Sequence, residues 1–569
     1  MNLRATLWVA IFALVLASPM MLISADDSPE HPRKIVSITV CNADSTGAVT
    51  PACGAAYDTE RAVLAPGLPV QSINQAGDGT ATDEHSTVFA PGSLGDNTDY
   101  LFFLAGGSKG VNSDIGLMVL SSPGPDAHGQ WTAQPATAQG YGNYSVGPGQ
   151  IFMPPMKPSM CPDLTDKYGN PFSISQQDQT FDLNYAVPGS VFKDPSGRPG
   201  HLLMVYEGTN DCIGTAGGKK LGQNSYQATG IATSLDGGRT WPRYASKDAY
   251  MAAQLPLANP VAGQTDNHGP RAPFGAMGQD VCMGNSCFPN VPGNYGRYEV
   301  VSPPIALDTL MHAGVPIGGQ FGYAEPSAFV DDVQSGDENG GEGNPYVYIV
   351  AHYLSNGIAP LPSDNGRKDD LAVARARLDG NRAQLEFSKW NGAWFPNAPD
   401  GRGGPDAPML PSASDGNFTA CGDNASKQGR SQGSISYVEE THQYLLLFVC
   451  TSLGDPALGA ASSKTFGSAW FYSINDDLNN QSGWSLPKEI EGSYAVHTEI
   501  PKTTSCELYN GWYPNIMSLE KEPGHLSTQG YVFYMSGSLG PCDQPNEPNI
   551  SLPPRTYSSR QFTIVTAPR

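Results

Sequence analysis

The chain has 569 residues, a formal net charge of −22 and only 15 % charged residues, set against 65 Gly, 49 Pro and 39 % apolar residues. This is the composition of a turn-rich globular protein, not of a disordered one. The acidity excludes nucleic acid as a natural partner, because no basic stripe offsets phosphate repulsion. Its simplest role is to keep an exported chain soluble, and it leaves neutral, cationic or small ligands open.

In chain order, the first element is a targeting segment. Arg4 precedes the apolar run "LWVAIFALVLA", which is too short to span a bilayer comfortably, and small residues follow around "LISA". Residues 1–25 are expected to be a signal peptide cleaved near Ala25. Residues 26–569 are then a single secreted domain, extracellular or periplasmic, monomeric and without later membrane contact. Ten cysteines agree with an oxidising compartment: Cys41, Cys53, Cys161, Cys212, Cys282, Cys287, Cys421, Cys450, Cys506 and Cys542. Spacing makes Cys41 with Cys53, Cys282 with Cys287, Cys421 with Cys450, and Cys506 with Cys542 reasonable pairs, but it does not fix connectivity. Zinc is the weaker reading, since paired CxxC units are absent and the His are scattered. Five sequons (Asn143, Asn417, Asn424, Asn480 and Asn549) mark surface loops in a glycosylating host.

From residue 86 onward, short apolar runs bounded by Gly, Pro, Asn and Asp replace any helical period. The first strands "STVFAPG", "VPGSVFKD", "EPSAFVDD", "QGSISYVE" and "WYPNIMSL" each precede a richer apolar strand. Those second strands are "DYLFFLAGG", "HLLMVYEG", "YVYIVAHY", "QYLLLFVC" and "GYVFYMSG". In four of the five repeats a third run ends near a tryptophan: Trp131, Trp241, Trp390 or Trp484. A repeated four-strand unit of this kind predicts an all-β fold, a five-bladed β-propeller with long disulfide-tied insertions. Its inner strands begin near residues 86, 188, 326, 433 and 514. The last strand, "RQFTIVTA", is expected to pair with the N-terminal "KIVSITV".

"TSLDGGRTW" (Thr233–Trp241) is the best-formed local motif, and it resembles the Asp-box of sialidases and other propellers. In those families the box is a hairpin on the outer part of a blade, so it predicts a structural seam and not a site. Chemistry in a propeller belongs on the axis, where each first strand begins. The candidates there are Asp83, Glu84 and His85 in the first repeat, and Asp182, Asn184 and Tyr185 in the second. Tyr323 and Glu325 follow in the third repeat, then Arg430, Ser431 and Gln432 in the fourth. The fifth repeat supplies Glu507, Tyr509, Asn510, Trp512 and Tyr513. Carboxylates for acid–base work, amides for hydroxyls and aromatic faces for sugar rings make up a carbohydrate site. Glu207 and Asp211, after the second apolar strand, are expected at the outer end of their blade. The acidic stretch Asp331–Gly343 lacks EF-hand spacing and reads as an exposed loop. No cofactor is expected, a structural calcium ion on the axis being the single alternative.

The fivefold repeat, with "AEPSAFVDD…YVYIVAHY" and "SINDDLNNQSGWSLPKEI", resembles the propeller glycosidases of glycoside hydrolase family 43 and their invertase-like relatives. The pairing "YVYIVAHY…DDLAVARARLDG…FSKWNGAW" resembles the domain-of-unknown-function 4185 family. The resemblance spans most of residues 80–540 and implies hydrolysis of a poly- or oligosaccharide, arabinan-like among the options. It further implies three axial acids: Asp83, with Glu84 as its rival, as base or nucleophile, Asp182 as the orienting acid, and Glu325 as the proton donor. The first repeat lacks that family's Asp-Pro, and Asp182 lies six residues before Pro188. A carbohydrate-binding propeller without catalysis is the alternative. A sialidase fits less well, because Arg430 is the only arginine near a blade start.

Overall fold

The computed structural model describes residues 32–40, 84–95, 97–106, 116–126, 131–141, 185–194, 200–210, 224–234, 236–239, 241, 281–283, 286–288, 297–301, 319–333, 345–355, 369–378, 387–396, 407–410, 428–453, 466–490, 507–539 and 556–569. The expected signal peptide lies outside them. Among the described residues the protein is nearly all β, with two short 3-10 turns at Ala136–Gln139 and Gln481–Gly483. No helix there is long and apolar enough to cross a membrane.

Among the described residues β1 (Arg33–Val40) comes first and five antiparallel meanders follow, the second and third joined into one sheet by a parallel pairing of Gly319–Gly322 with Asn224–Gln227. The first is β2 (Thr87–Phe89), β3 (Tyr100–Gly106), β4 (Gly116–Ser122) and β5 (Gln134–Pro135). The second is β6 (Tyr185–Lys193), β7 (Leu202–Asn210) and β8 (Asn224–Ser234). A hairpin of β9 (Val281–Met283) and β10 (Ser286–Phe288) follows, and β11 (Arg297–Val301) adds to β8. The third meander is β12 (Gly319–Asp331), β13 (Tyr346–Ser355), β14 (Asp369–Arg377), β15 (Phe387–Trp390) and β16 (Trp394–Pro396). The fourth is β17 (Gln428–Val438), β18 (Gln443–Leu453), β19 (Phe466–Asn475) and β20 (Lys488–Glu489). The fifth is β21 (Glu507–Met517), β23 (Gln529–Leu539) and β24 (Thr556–Pro568), with β22 (His525–Leu526) lying instead along β17. As the sequence predicts, β1 pairs antiparallel with β24, from Arg33 opposite Pro568 to Val40 opposite Phe562, so the N-terminal segment completes the last sheet.

The apolar runs are continuous because both faces of each meander are covered. In β18, Leu446, Phe448 and Cys450 face one core cluster, shared with the third meander. Leu445, Leu447 and Val449 face another, shared with the fifth and with β1. A third cluster joins the first meander to the second and third, and a fourth brings Phe102 and Trp131 of the first against Phe533 and Tyr557 of the fifth. The meanders therefore pack in cyclic order. Trp131, Trp241, Trp390 and Trp484, the repeat-ending tryptophans, are all buried.

The "TSLDGGRTW" turn is one of the seams. Ser234 Oγ donates to Asp236 Oδ1 (2.8 Å) and accepts from Gly238 N–H (2.8 Å), while Trp241 Nε1 donates to the Gly238 carbonyl (2.9 Å). Gly238 has φ +86°, and a Cβ there would stand 2.6 Å from the Phe103 ring of the first meander. Tyr141 donates its hydroxyl to the Gly237 carbonyl at 2.8 Å. The turn locks the first two meanders together. Cys450 is disulfide-bonded, and Cys282 and Cys287 occupy directly opposed backbone positions in the β9–β10 hairpin.

Candidate functional site

Four of the five first strands carry an irregularity at a common phase; β2 pairs with β3 in regular register, and β21 has a further shift between Asn510 and Trp512. The register shifts between Pro188 and Val191, Ala324 and Ser327, Ser431 and Ser434, and Trp512 and Asn515. At that phase stand Glu325 (φ +54°), Gln432 (+54°) and Tyr513 (+52°), with Glu84 (+69°) just before β2; in the second meander the first residue past the last paired one is Gly189, which is not in the left-handed region. A non-glycine residue in the left-handed region costs on the order of 1–3 kcal/mol and persists where the surroundings over-determine it. The bulges bring the Glu325, Gln432 and Tyr513 side chains together. The expected strand starts near 188, 326, 433 and 514 thus mark bulges, and the strands begin several residues earlier because pairing continues beyond each bulge.

The residues after the bulges hold the first strands together. Ser327 Oγ donates to the Gly433 carbonyl (2.5 Å), Ser434 Oγ to that of Pro514 (3.2 Å), and Asn515 Nδ2 to that of Ser86 (2.7 Å). Val191 N–H donates to Thr87 Oγ1 at 2.8 Å.

Glu325 is the hub of the polar cluster. Its Oε2 lies 3.1 Å from His352 Nδ1, and its Oε1 accepts from Gln432 Nε2 (3.2 Å) and the Tyr513 hydroxyl (3.3 Å). Gln432 is fully buried and accepts the Tyr513 N–H through Oε1 at 2.8 Å, which fixes its amide. Burial by itself would push the Glu325 carboxyl up. The His352 hydrogen bond and charge, the Gln432 amide and the charge of His85 outweigh burial and hold it below the usual carboxylate value. So held, Glu325 favours its anionic form, suited to accept a proton or face developing positive charge.

A second carboxylate joins it from an unexpected strand. Glu207 Oε2 accepts the Glu325 N–H at 2.9 Å, and Oε1 accepts Thr209 Oγ1 at 3.1 Å. The expectation that Glu207 faces the outer end of its blade is therefore wrong. It pairs with Val187 in β6, two residues before the bulge, while His352 pairs with Ala324 in β12, the last residue before its bulge. "MVYEG" and "IVAHY" carry that signal as a polar side chain ending an apolar run, but only the register shows which end of the strand it is.

Of the other expected site residues, Glu84 and His85 are buried at this end of β2. The His85 ring meets Tyr513 edge-on at 5.8 Å, and burial lowers its pKa to about 4 against the opposing charge of Glu325. Trp512, half-buried, stands edge-on to Tyr513 at 6.0 Å. Arg430 is buried with its Nη1 3.7 Å from Asp370 Oδ1, so its charge already faces a carboxylate. Tyr323, only 1 % exposed, lies beneath the site and not on its surface: its hydroxyl accepts from Lys389 Nζ (3.3 Å) and its ring packs on Tyr353 (5.4 Å). Burial pushes the Lys389 ammonium down to about 7. Tyr185 and Asn510 are placed in β6 and β21 by their backbones. Asp83, Asp182 and Asn184 lie outside the described residues. Among the described residues no group of three or more His, Cys, Asp and Glu is arranged to hold a metal ion.

No family model matches the chain, and no curated protein matches it. Solved structures align along most of its length. An N-acetylgalactosamine deacetylase from F. plautii, in complex with blood group B trisaccharide, is 11 % identical over 88 % of this chain and 94 % of its own, at a TM-score of 0.39. An endo-arabinase from Bacteroides thetaiotaomicron is 9 % identical over 88 % and 96 %, at 0.33. An α-L-arabinofuranosidase from Lactobacillus brevis is 7 % identical over 85 % and 91 %, at 0.34. Superpositions this loose carry no argument about activity, which rests on the site itself.

Proposed function

We propose that the five cyclically packed meanders are the blades of a five-bladed β-propeller, and that the bulged ends of its inner strands bind carbohydrate and hydrolyse a glycosidic bond. The protein on this reading is a secreted glycoside hydrolase acting on a poly- or oligosaccharide, arabinan-like chains among its substrates. One observation carries the reading: Glu325, Gln432 and Tyr513 occupy the same strained phase of three inner strands and already share hydrogen bonds, and Glu84 is strained just before a fourth.

Hydrolysis adds water across the C–O bond. One carboxyl gives its proton to the leaving oxygen, while a carboxylate takes a proton from water or bonds to the anomeric carbon. Glu325, held as an anion, fills the carboxylate part. Glu84, in place of its neighbour Asp83, is the matching carboxyl in the first blade and gives its proton to the leaving oxygen. In the second blade the bulge holds Gly189 and Ser190, neither a carboxylate, so Glu207 from the adjacent strand supplies the third carboxylate, with Asp182 as the alternative. Trp512 offers a face on which a sugar ring can stack.

The test is release of reducing ends from arabinan, galactan and xylan by the wild type, Glu325→Gln and Glu84→Gln. Each substitution should lower turnover by about 10²–10⁴-fold while leaving the fold intact. Undiminished turnover in Glu325→Gln would remove the residue from the chemistry. Glycan binding by the wild type with no reducing ends released would establish the non-catalytic alternative.

A further inference from the structure

The position that follows the strained residue is Gly or Pro in three of the meanders. It is Pro326 in the third meander, Gly433 in the fourth and Pro514 in the fifth, and the second meander carries Gly189 in its bulge. Packing explains the glycines. A Cβ on Gly189 would stand 2.5 Å from the Pro326 carbonyl oxygen, and one on Gly433 would stand 2.8 Å from Val350 Cγ1. In the first meander the same position is His85. Its side chain is 1 % exposed, and neither ring nitrogen has a hydrogen-bond partner. Burying two polar atoms unsatisfied opposes folding, and where native proteins do so the group generally serves something other than stability. The ring lies edge-on to Tyr513, whose hydroxyl donates to Glu325, so it borders the polar cluster and not the outer wall.

We propose that His85 is a ligand-contact residue whose two ring nitrogens take hydroxyl groups of an uncharged polyhydroxylated ligand. A neutral imidazole presents one donor and one acceptor on opposite sides of the ring. A hydroxyl can answer either one, whereas a carboxylate can answer only the donor and would also face Glu325, Glu207 and Glu84. The proposal rests on the carbohydrate reading above and adds to it the group that selects for hydroxyls. Burial keeps the imidazole neutral near pH 7, as the role requires.

The experiment compares wild type, His85→Phe, His85→Gln and Glu325→Gln, using arabinan, galactan and xylan oligosaccharides in calorimetric binding alongside thermal unfolding. Phe keeps the ring contact with Tyr513 and removes both nitrogens. It should weaken binding by about tenfold or more, the effect of losing one or two neutral hydrogen bonds. Its unfolding temperature should hold or rise, because two unsatisfied polar atoms have gone. Gln, which keeps a donor and an acceptor, should recover part of the affinity. Unchanged affinity in His85→Phe would overturn the proposal, and so would a clear loss of stability, which would mark the ring nitrogens as structural. If His85→Phe binds normally while Glu325→Gln loses turnover, this inference fails alone. If neither substitution has an effect, the carbohydrate site itself is wrong.

Discussion

The two ends of the inner strands are built on opposite principles. At the N-terminal end, four non-glycine residues stand in the left-handed region, a glutamate is ringed by donors, and a buried histidine has unsatisfied nitrogens. At the C-terminal end a single loop, residues 518–528 between β21 and β23, ties the meanders together. Glu522 accepts Ser93 Oγ of the first meander (2.8 Å) and Lys193 Nζ of the second (2.7 Å). His525 Nε2 lies 3.3 Å from Asp332 of the third, and its Nδ1 lies 3.7 Å from Glu439 of the fourth, which also pairs with Lys521. The His525 ring sits beside Phe329 and Tyr437, and Gly524 accepts the Tyr437 N–H at 2.8 Å. Strain gathers at the first end, with only Glu520 (φ +61°) of the loop and His442 (+53°) of the β17–β18 turn sharing it at the second, where contacts between sheets gather. That division is what a site needs if its geometry is to survive its own cost.

Mutations should separate the two ends. The largest effect is the loss of turnover expected in Glu325→Gln, which should leave thermal unfolding close to wild type because every contact of the 518–528 loop remains. Next comes Gly189→Ala, which forces a methyl against the Pro326 and Val205 carbonyls. It should destabilise by about 1–3 kcal/mol in denaturant unfolding, and activity should fall only as the fold is lost. His352→Asn acts at the site alone. Without the imidazole's hydrogen bond and charge the Glu325 pKa rises, so the acidic limb of activity should move to higher pH. At a fixed pH on that limb, activity falls about tenfold for each whole unit by which the pKa rises. A pH profile identical to wild type would show that His352 does not hold Glu325 ionised.

Smaller effects belong to the far end. The hydrogen bond to Asp332 raises the His525 pKa above 6.5, assisted by the charges of Asp332, Glu439 and Glu522. The stabilisation is therefore fully present below the unfolded value of 6.5 and is lost as pH rises through the higher folded value. His525→Gln should cost on the order of 1 kcal/mol in urea titrations at acidic pH and nothing at alkaline pH. Loss of the same size at every pH would mean that ring packing, and not charge, is what matters. Smallest of all, Glu522→Gln breaks an exposed pair and should change stability by less than about 1 kcal/mol, with salt reducing the difference further.

Much of the fold is legible because burial on both faces leaves a mark in the sequence. "QYLLLFVC" and "YVYIVAHY" are continuous apolar runs, and each forms a fully covered second strand. The terminal tryptophans and the Gly-rich "TSLDGGRTW" turn keep the phase of the repeat. The site is half legible. Glu325, Gln432 and Tyr513 stand out because each precedes the apolar part of a first strand, and the bulges bring them to one place, while Glu84 precedes the unbulged β2. Glu207 and His352 escape a reading of the sequence, since the direction of a polar residue at the end of a strand depends on register, and a shift of one residue reverses it. Tyr323 reads as a site-lining residue, yet it lies under the site because Lys389, 66 residues away, reaches its hydroxyl.

By itself, then, the sequence determined the nearly all-β character, the recurring pairs of apolar strands and the pairing of β1 with β24, because these follow from local periodicity and turn chemistry. The tertiary structure decided which polar groups meet. Glu325 favours its anionic form because a histidine from the neighbouring strand and an amide from the next sheet converge on it, and His85 stands where the third, fourth and fifth meanders have only Gly or Pro. Charge state and ligand contact are set by neighbours far apart in the chain, and no run of residues encodes them locally.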